Sequence, residues 1–394
     1  MKKLLLFAAA ALTAFAAQAQ KIQIFDHTQV HAFGSYEEFK PDSAGVLHAG
    51  TGRYIFKKVN FPTYKRTTRA TINITLASNG DRWDKSGSCF VIPACDDPLK
   101  MIQGKAPLAP GADSAFLGVT PQGGKAPYIE LLRFMTPFGV GHFSDDQLHR
   151  KPVYIPFWEK QVAWSQDISQ LISTLQGEAW IGIWIDSWTT EGYVVSLDIT
   201  LEESPLSCDK ATPTVVIPVV NTVPYIGSQS LSTSFAHRDL TAEVTIPQGA
   251  RNARLYYITT GHGGHSGGDE FTKQQNIVFV DGEPVIDFIP WRDDCASFRR
   301  FNPGSGVWLI KREAPYIGDD DEYHVKEIEE SLASSDLSRS NWCPGSCIVP
   351  ESVALPDLTP GTHKITVSIP NAQKAVGNAM NHWLVSAYIV CDMK

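Results

Sequence analysis

The sequence predicts an all-β chain folded as antiparallel β-sandwiches. Seven segments alternate apolar and polar residues with the period of two of a half-buried strand: residues 69–77, 180–188, 192–201, 242–246, 254–260, 363–369 and 382–390. Asp281-Gly282 separates two further apolar runs, 276–280 and 284–289, and signals a two-residue type I′ hairpin. Strand and helix do not alternate, which sets aside Rossmann and TIM-barrel folds. Helical signal is limited to residues 167–175 and 322–333, expected to make about two and about three turns.

Composition agrees. The 394 residues allow roughly two to three domains. A 43% apolar and 19% charged content excludes a disordered or coiled-coil chain. Acidic residues outnumber basic ones 42 to 34, a net charge of −8, which argues against nucleic acid as a partner.

The elements follow in order. Lys2-Lys3, an apolar run over 4–17 and Ala17-Gln18-Ala19 read as a signal peptide over 1–19 with an A-x-A cleavage site. The run is too short to span about 30 Å of hydrocarbon, and no Cys follows it to carry a lipid. The expectation is therefore a secreted or periplasmic monomer without a membrane anchor. Pro205 and the polar stretch 203–212 mark a boundary, giving an N-terminal sandwich over 20–205 and a C-terminal one over 210–394. Residues 96–127 and 302–340 read as long loops, expected either to rim a cleft or to decorate the far surface.

Seven cysteines suit an oxidising compartment, and the odd number leaves at least one unpaired. Proximity in sequence suggests Cys89 with Cys95, and proximity of domain termini suggests Cys208 with Cys391. No pair of C-x-x-C knuckles indicates structural zinc.

Three segments carry chemistry. In 179–188 (AWIGIWIDSW), Ile181, Ile183 and Ile185 share one strand face, and Trp180, Trp184, Asp186 and Trp188 share the other. That second face is either a carboxylate between sugar-stacking indoles or a second core layer. Asp81-Arg82-Trp83-Asp84-Lys85 packs two acids, two bases and an indole into a turn, which by itself reads as solvated. His262-Gly-Gly-His265-Ser-Gly-Gly-Asp269-Glu270-Phe271 lacks the i, i+4 geometry of helical zinc motifs, so no metal is expected there. Its last five letters spell the signature of diguanylate cyclases. That domain is α/β and uses cytosolic GTP, so the match is read as coincidence.

Taken together, these segments resemble the peptide-N-glycosidase F family over most of the chain after residue 25. The family's Glu-Trp-Asp-Arg motif matches Arg82-Trp83-Asp84-Lys85, and its Glu-Thr-Trp matches Asp186-Ser187-Trp188. Its second essential acid falls on Glu270 and a family His on His262. Leu132-Arg133-Phe134-Met135-Thr136-Pro137 matches a further segment. The most specific match is Arg339-x-x-Trp342-Cys343-Pro344-Gly345. Lys85 replaces an Arg, which loses a bidentate fork, and Asp186 replaces a Glu.

The resemblance implies two eight-stranded jelly rolls side by side with the site between them. It implies hydrolysis of the amide between Asn and the innermost N-acetylglucosamine of an N-glycan, with no cofactor or metal. N-glycosylated peptides or glycoproteins are the implied partners. Asp84, Glu270 and Asp186 are the implied catalytic acids. Trp83, Lys85, Trp184, Trp188, His262, Arg339 and Trp342 are the implied substrate-binding residues, and Cys295–Cys343 is an implied disulfide. A non-catalytic glycan-binding jelly roll, or a glycosidase cutting within the glycan, is the alternative.

Overall fold

The protein is described by a computed structural model covering residues 19–37, 39–92, 128–145, 155–223, 235–264 and 267–394. Nearly all of the expected signal peptide, the loop 96–127, Cys95 and His265 lie outside the described residues. The early strands are β1 (Ala19–Val30), β2 (Val46–Ala49), β3 (Tyr54–Phe61), β4 (Thr68–Ser78), β5 (Ser86–Ile92), β6 (Ile129–Met135), β7 (Val162–Asp167), β8 (Gly177–Ile185) and β9 (Tyr193–Glu203). The later ones are β10 (Thr214–Asn221), β11 (Leu240–Ile246), β12 (Ala250–His262), β13 (Asn276–Val280), β14 (Glu283–Phe288), β15 (Val307–Ile317) and β16 (Tyr323–Ala333). They end with β17 (Cys347–Ile348), β18 (Glu351–Ala354), β19 (Gly361–Ser368) and β20 (His382–Met393).

Two antiparallel jelly-roll sandwiches result. In the first, the sheet β1-β9-β4-β7 faces β17-β6-β5-β8-β3-β2. The period of two is visible in β4: Ala70, Ile72, Ile74 and Leu76 are fully buried, while Thr71, Asn73 and Thr75 are not. In the second, β10-β20-β12-β18 stacks on β11-β19-β13-β14 around Leu255, Val278, Ile365, Val367 and Ile389. The predicted hairpin joins β13 to β14, with Asp281 and Gly282 both at positive φ (52° and 92°), as a type I′ turn requires. Burying a side chain such as Ile183 contributes about 1.5–3 kcal/mol.

The strand β8 has two apolar faces. Ile181, Ile183 and Ile185 enter the first core. On the other face Trp184 is buried among Leu47, Phe56, Phe90 and Tyr128, together with Val223 and Leu384 of the second sandwich. This layer joins the two sandwiches. Gly182 makes room for it, because a Cβ there would sit 2.4 Å from the Phe90 ring.

A buried polar knot fixes the same junction. Glu130 and Arg133 on β6 pair at 2.7 Å, and both are about 1% exposed. Glu130 also accepts from Ser88 Oγ and from Ser386 Oγ of β20, each at 2.6 Å. Arg133 Nη1 donates to Thr260 Oγ1 of β12 at 3.2 Å. Such a pair adds little net stability against an apolar replacement, but it disfavours other dockings of the two halves.

Three expectations are corrected. Residues 322–333 are not helical: they form β16, paired residue for residue with β15 from Val307↔Ala333 to Ile317↔Tyr323. Val325, Ile328 and Leu332 imitate helical spacing, but cross-strand ion pairs Lys311–Glu327 and Arg312–Glu330 support a ribbon. Most of 302–340 is therefore regular structure. Cys208 and Cys391 are unpaired, because Cys391 points into the second core while Cys208 is exposed on the connector after β9. Residues 167–175 do turn, as a 3-10 segment over Ser169–Thr174. The expected disulfide Cys295–Cys343 is present.

Candidate active site

The turn between β4 and β5 is not a solvated charge run. Asp81 is fully buried. Its Oδ1 accepts the Trp83 N–H at 3.1 Å and its Oδ2 accepts Ser187 Oγ at 2.9 Å. One carboxylate thus ties the Trp83–Lys85 turn to the segment carrying Asp186. The Trp83 carbonyl accepts from Thr136 Oγ1 (3.1 Å) and Tyr193 OH (2.6 Å), and Thr136 Oγ1 accepts the Lys85 N–H (2.7 Å). These contacts tie down the backbone on both sides of Asp84.

Glu270 comes from the second sandwich, on a 3-10 turn over Asp269–Phe271. Asp269 anchors it: its carboxylate accepts from Gln274 Nε2 (3.1 Å), Gln373 N (3.0 Å) and Trp383 Nε1 (3.0 Å). Ser340 N donates to the Glu270 carbonyl at 2.9 Å, which brings the Arg339 motif alongside.

Arg339 joins the two acids. Its guanidinium, 2% exposed, donates through Nε to Glu270 at 2.9 Å and through Nη2 to Asp84 at 3.4 Å. Its Nη1 donates to the carbonyls of Ser334 (3.0 Å) and Leu337 (3.1 Å), at the root of the β15–β16 ribbon. The group stacks over the Trp342 ring at 4.8 Å and the Phe271 ring at 5.1 Å. Trp342 is itself buried and donates to the Gly261 carbonyl at 2.9 Å. The Cys295–Cys343 disulfide holds the chain just beyond it.

Burial pushes the Asp84 carboxyl up to about 7; Arg339 opposes this, the charge of Glu270 adds to it, and Lys85 opposes it. Asp84 therefore changes protonation near neutral pH. Asp186 lies just past the end of β8, its Oδ1 accepting from Trp188 Nε1 at 3.0 Å with Arg53 Nη1 at 3.6 Å. Burial raises its carboxyl, against Lys85, Arg53 and His382. Lys85 thus acts electrostatically on both Asp84 and Asp186.

His262, at the end of β12, stands opposite His382 of β20, with ring centroids 5.1 Å apart, and stacks on Trp342 at 5.5 Å. Burial holds both imidazoles below their ordinary range, His262 far below it. His382 Nδ1 lies 2.7 Å from the Met380 carbonyl, so that nitrogen carries the hydrogen and Nε2 is bare in the neutral ring. Trp83 and Trp188 are 55% and 56% exposed.

The fold thus brings together Asp84, Lys85, Asp186, Trp188, Glu270, His262, Arg339 and Trp342. Trp184 is not among them: it belongs to the sandwich junction, the core-layer reading of its strand face. Asp81, Thr136 and Asp269 stand inside motifs that the sequence offers, but the sequence gives them no role of their own, and it gives none to His382. Each works through a partner far along the chain, and a buried Asp in a charged turn has no local signature.

Two jelly rolls that contribute one carboxylate each to a shared guanidinium define a carboxylate-based site between β-sandwiches. The chain matches the family descriptions "Peptide-N-glycosidase F, N terminal" over residues 21–201 and "Peptide-N-glycosidase F, C terminal" over 230–390. It belongs to the peptide-N-glycosidase F family. The solved structure of PNGF-II is similar at 30% identity and a TM-score of 0.78, covering 98% of this chain and 68% of that one. The chain thus spans about two thirds of that relative's length. PNGase F, a glycosylasparaginase from Flavobacterium meningosepticum, is similar in fold at 15% identity and a TM-score of 0.61, covering 95% of this chain and 96% of that one. A comparison with curated protein sequences finds no match.

Proposed function

We propose that this protein is a secreted amidase that hydrolyses the bond between an Asn side chain and the innermost N-acetylglucosamine of an N-linked glycan. A signal peptide over 1–19 and sandwich domains over 20–205 and 210–394 complete the reading. The observation that carries it is the buried guanidinium of Arg339, shared by Asp84 and Glu270, within a site opened by exposed indoles. Family membership supports the same chemistry.

An amide is uncharged, so its cleavage needs an activated water, a polarised carbonyl and a protonated leaving nitrogen. Water adds to the Asn side-chain carbonyl carbon, the C–N bond breaks and the nitrogen takes up a proton. The products are an Asp-containing peptide and a glycosylamine, which decays to free sugar and ammonia. Asp84, with its carboxyl near 7, moves the proton. Glu270, held by Arg339, positions the water or the carbonyl. Arg339 has five N–H donors, of which four are engaged by Glu270, Asp84, Ser334 and Leu337. The remaining Nη2 hydrogen, together with Lys85, suits developing oxyanion charge. Asp186 acts through a sugar hydroxyl or a water, and Trp83 and Trp188 stack on apolar sugar faces.

Mass spectrometry of a treated glycopeptide tests this. Conversion of Asn to Asp with loss of the whole glycan supports the amidase. A sugar left on Asn marks a glycosidase, and an unchanged glycopeptide marks a binding protein.

A further inference from the structure

Phe33 occupies a conformation that its residue type disfavours. It follows β1 at φ 58°, and 61% of it is exposed. A bulky residue at positive φ is a backbone outlier. Strain of this kind persists where the surroundings over-determine it, and it clusters at ligand sites. Here the surroundings are explicit. Phe33 N donates to Thr51 Oγ1 at 3.1 Å and Gly34 N to the Thr51 carbonyl at 2.7 Å, with Thr51 itself at φ 60°. These contacts hold an aromatic ring in water, where it contributes little to folding.

The place of that ring is informative. Ala32 N donates to the Thr189 carbonyl at 2.8 Å, so Phe33 and Trp188 each stand one residue from the same hydrogen bond. Arg53, two residues after Thr51, lies 4.4 Å from the Trp188 ring and 3.6 Å from Asp186. The backbone carrying Phe33 is therefore tied to the loop carrying Trp188, whose ring Arg53 covers beside Asp186.

We propose that Phe33, with Arg53 and Trp188, forms an outer subsite for a pyranose beyond the chitobiose end of the glycan. This rests on the reading of the site as one for N-glycans. The chemistry is that of an exposed ring face stacking on the C–H face of a sugar, which selects for glycan length and not for the bond cleaved.

Calorimetric binding of two free sugars tests it: N,N′-diacetylchitobiose and the core pentasaccharide with three mannoses on that disaccharide. Phe33→Ala and Phe33→Gly are expected to weaken the pentasaccharide about 5–10-fold and to leave chitobiose within about twofold. Phe33→Trp is expected to retain both affinities. Phe33→Gly should also raise Tm, because glycine adopts positive φ without strain. A more stable variant with weaker pentasaccharide binding cannot be explained by a structural role. Equal changes on both sugars, no change on either, or affinity loss that tracks a fall in Tm would overturn the subsite. Wild type that binds neither sugar overturns the N-glycan reading as well, whereas intact binding with indifferent Phe33 variants overturns the subsite alone.

Discussion

Asp84 and Arg339 are 255 positions apart in the chain and 3.4 Å apart in the fold. Asp84 belongs to the first sandwich and Arg339 to a segment of the second, so the proposed catalytic acid acquires its partner only when the two halves dock. Glu270, on the same guanidinium at 2.9 Å, makes Arg339 the shared floor of the site.

The first prediction concerns Asp84. Asp84→Asn keeps the volume and removes proton transfer, so the deglycosylation rate should fall by roughly 10²–10⁴. Wild-type activity should show a limb near pH 7, which the variant lacks. Linkage gives a second readout. The folded carboxyl lies near 7 against 3.8 in the unfolded chain, so the folded state retains a proton that the unfolded state has released. Its cost is absent at acid pH, grows above the unfolded value and levels off above 7. Asp84→Asn should thus gain stability relative to wild type as pH rises from 4 to 8, by roughly 2–4 kcal/mol. Denaturant midpoints at several pH values check this.

Removing Arg339 should be worse for the fold than removing either acid. Arg339→Ala leaves Asp84 and Glu270 facing each other without their cation, and breaking a buried pair costs about 3–5 kcal/mol. Arg339→Lys keeps the charge but loses the planar fork that reaches two carboxylates and two carbonyls. It should recover much of the Tm while activity stays low, a split read by thermal melts beside rate measurements.

The junction knot should behave as a coupled pair. Glu130→Gln leaves Arg133 buried without its counter-charge, and Arg133→Met leaves Glu130 so. Each should cost about 3–5 kcal/mol. The double variant should lose clearly less than the two costs added together. Strict additivity in a double-mutant cycle would show that the two side chains do not act on each other.

The disulfide should matter for stability and for the site. Cys295 and Cys343 are 48 residues apart. Closing such a loop is worth about 4 kcal/mol on the chain-entropy estimate. A Cys295→Ser, Cys343→Ser double variant should melt markedly lower. Because Arg339 and Trp342 lie inside the closed loop, activity below the melting point should fall too. Non-reducing peptide mapping would recover the linked pair from wild type.

Much of the fold is legible from alternation alone. Strand β4 buries every second residue, and Asp281-Gly282 has the two positive φ values its letters imply. The candidate acids, and the disulfide that the structure contains, are legible only through motif spacing matched to a family. Periodicity could not have paired Asp84 with Glu270. The ribbon β15–β16 is not legible in the sequence because its apolar residues fit helical spacing as well as a strand, and only the folded chain shows the cross-strand charge pairs that favour the strand.

The alternation in β8 likewise left its Trp face open between sugar platform and core. A strand pattern reports which residues share a face, not what covers that face. Packing in one apolar cluster with Val223 and Leu384 of the other sandwich buries Trp184, while the strand's end at Ile185 frees Trp188. Burial then raises Asp84 and Asp186, and Asp81, Asp269 and Arg339 hold the pieces by bonds that reach across up to 255 residues. Local preferences act over a few residues, so they choose strands and turns. Desolvation and charge pairing act between surfaces, and those surfaces meet only in the folded chain.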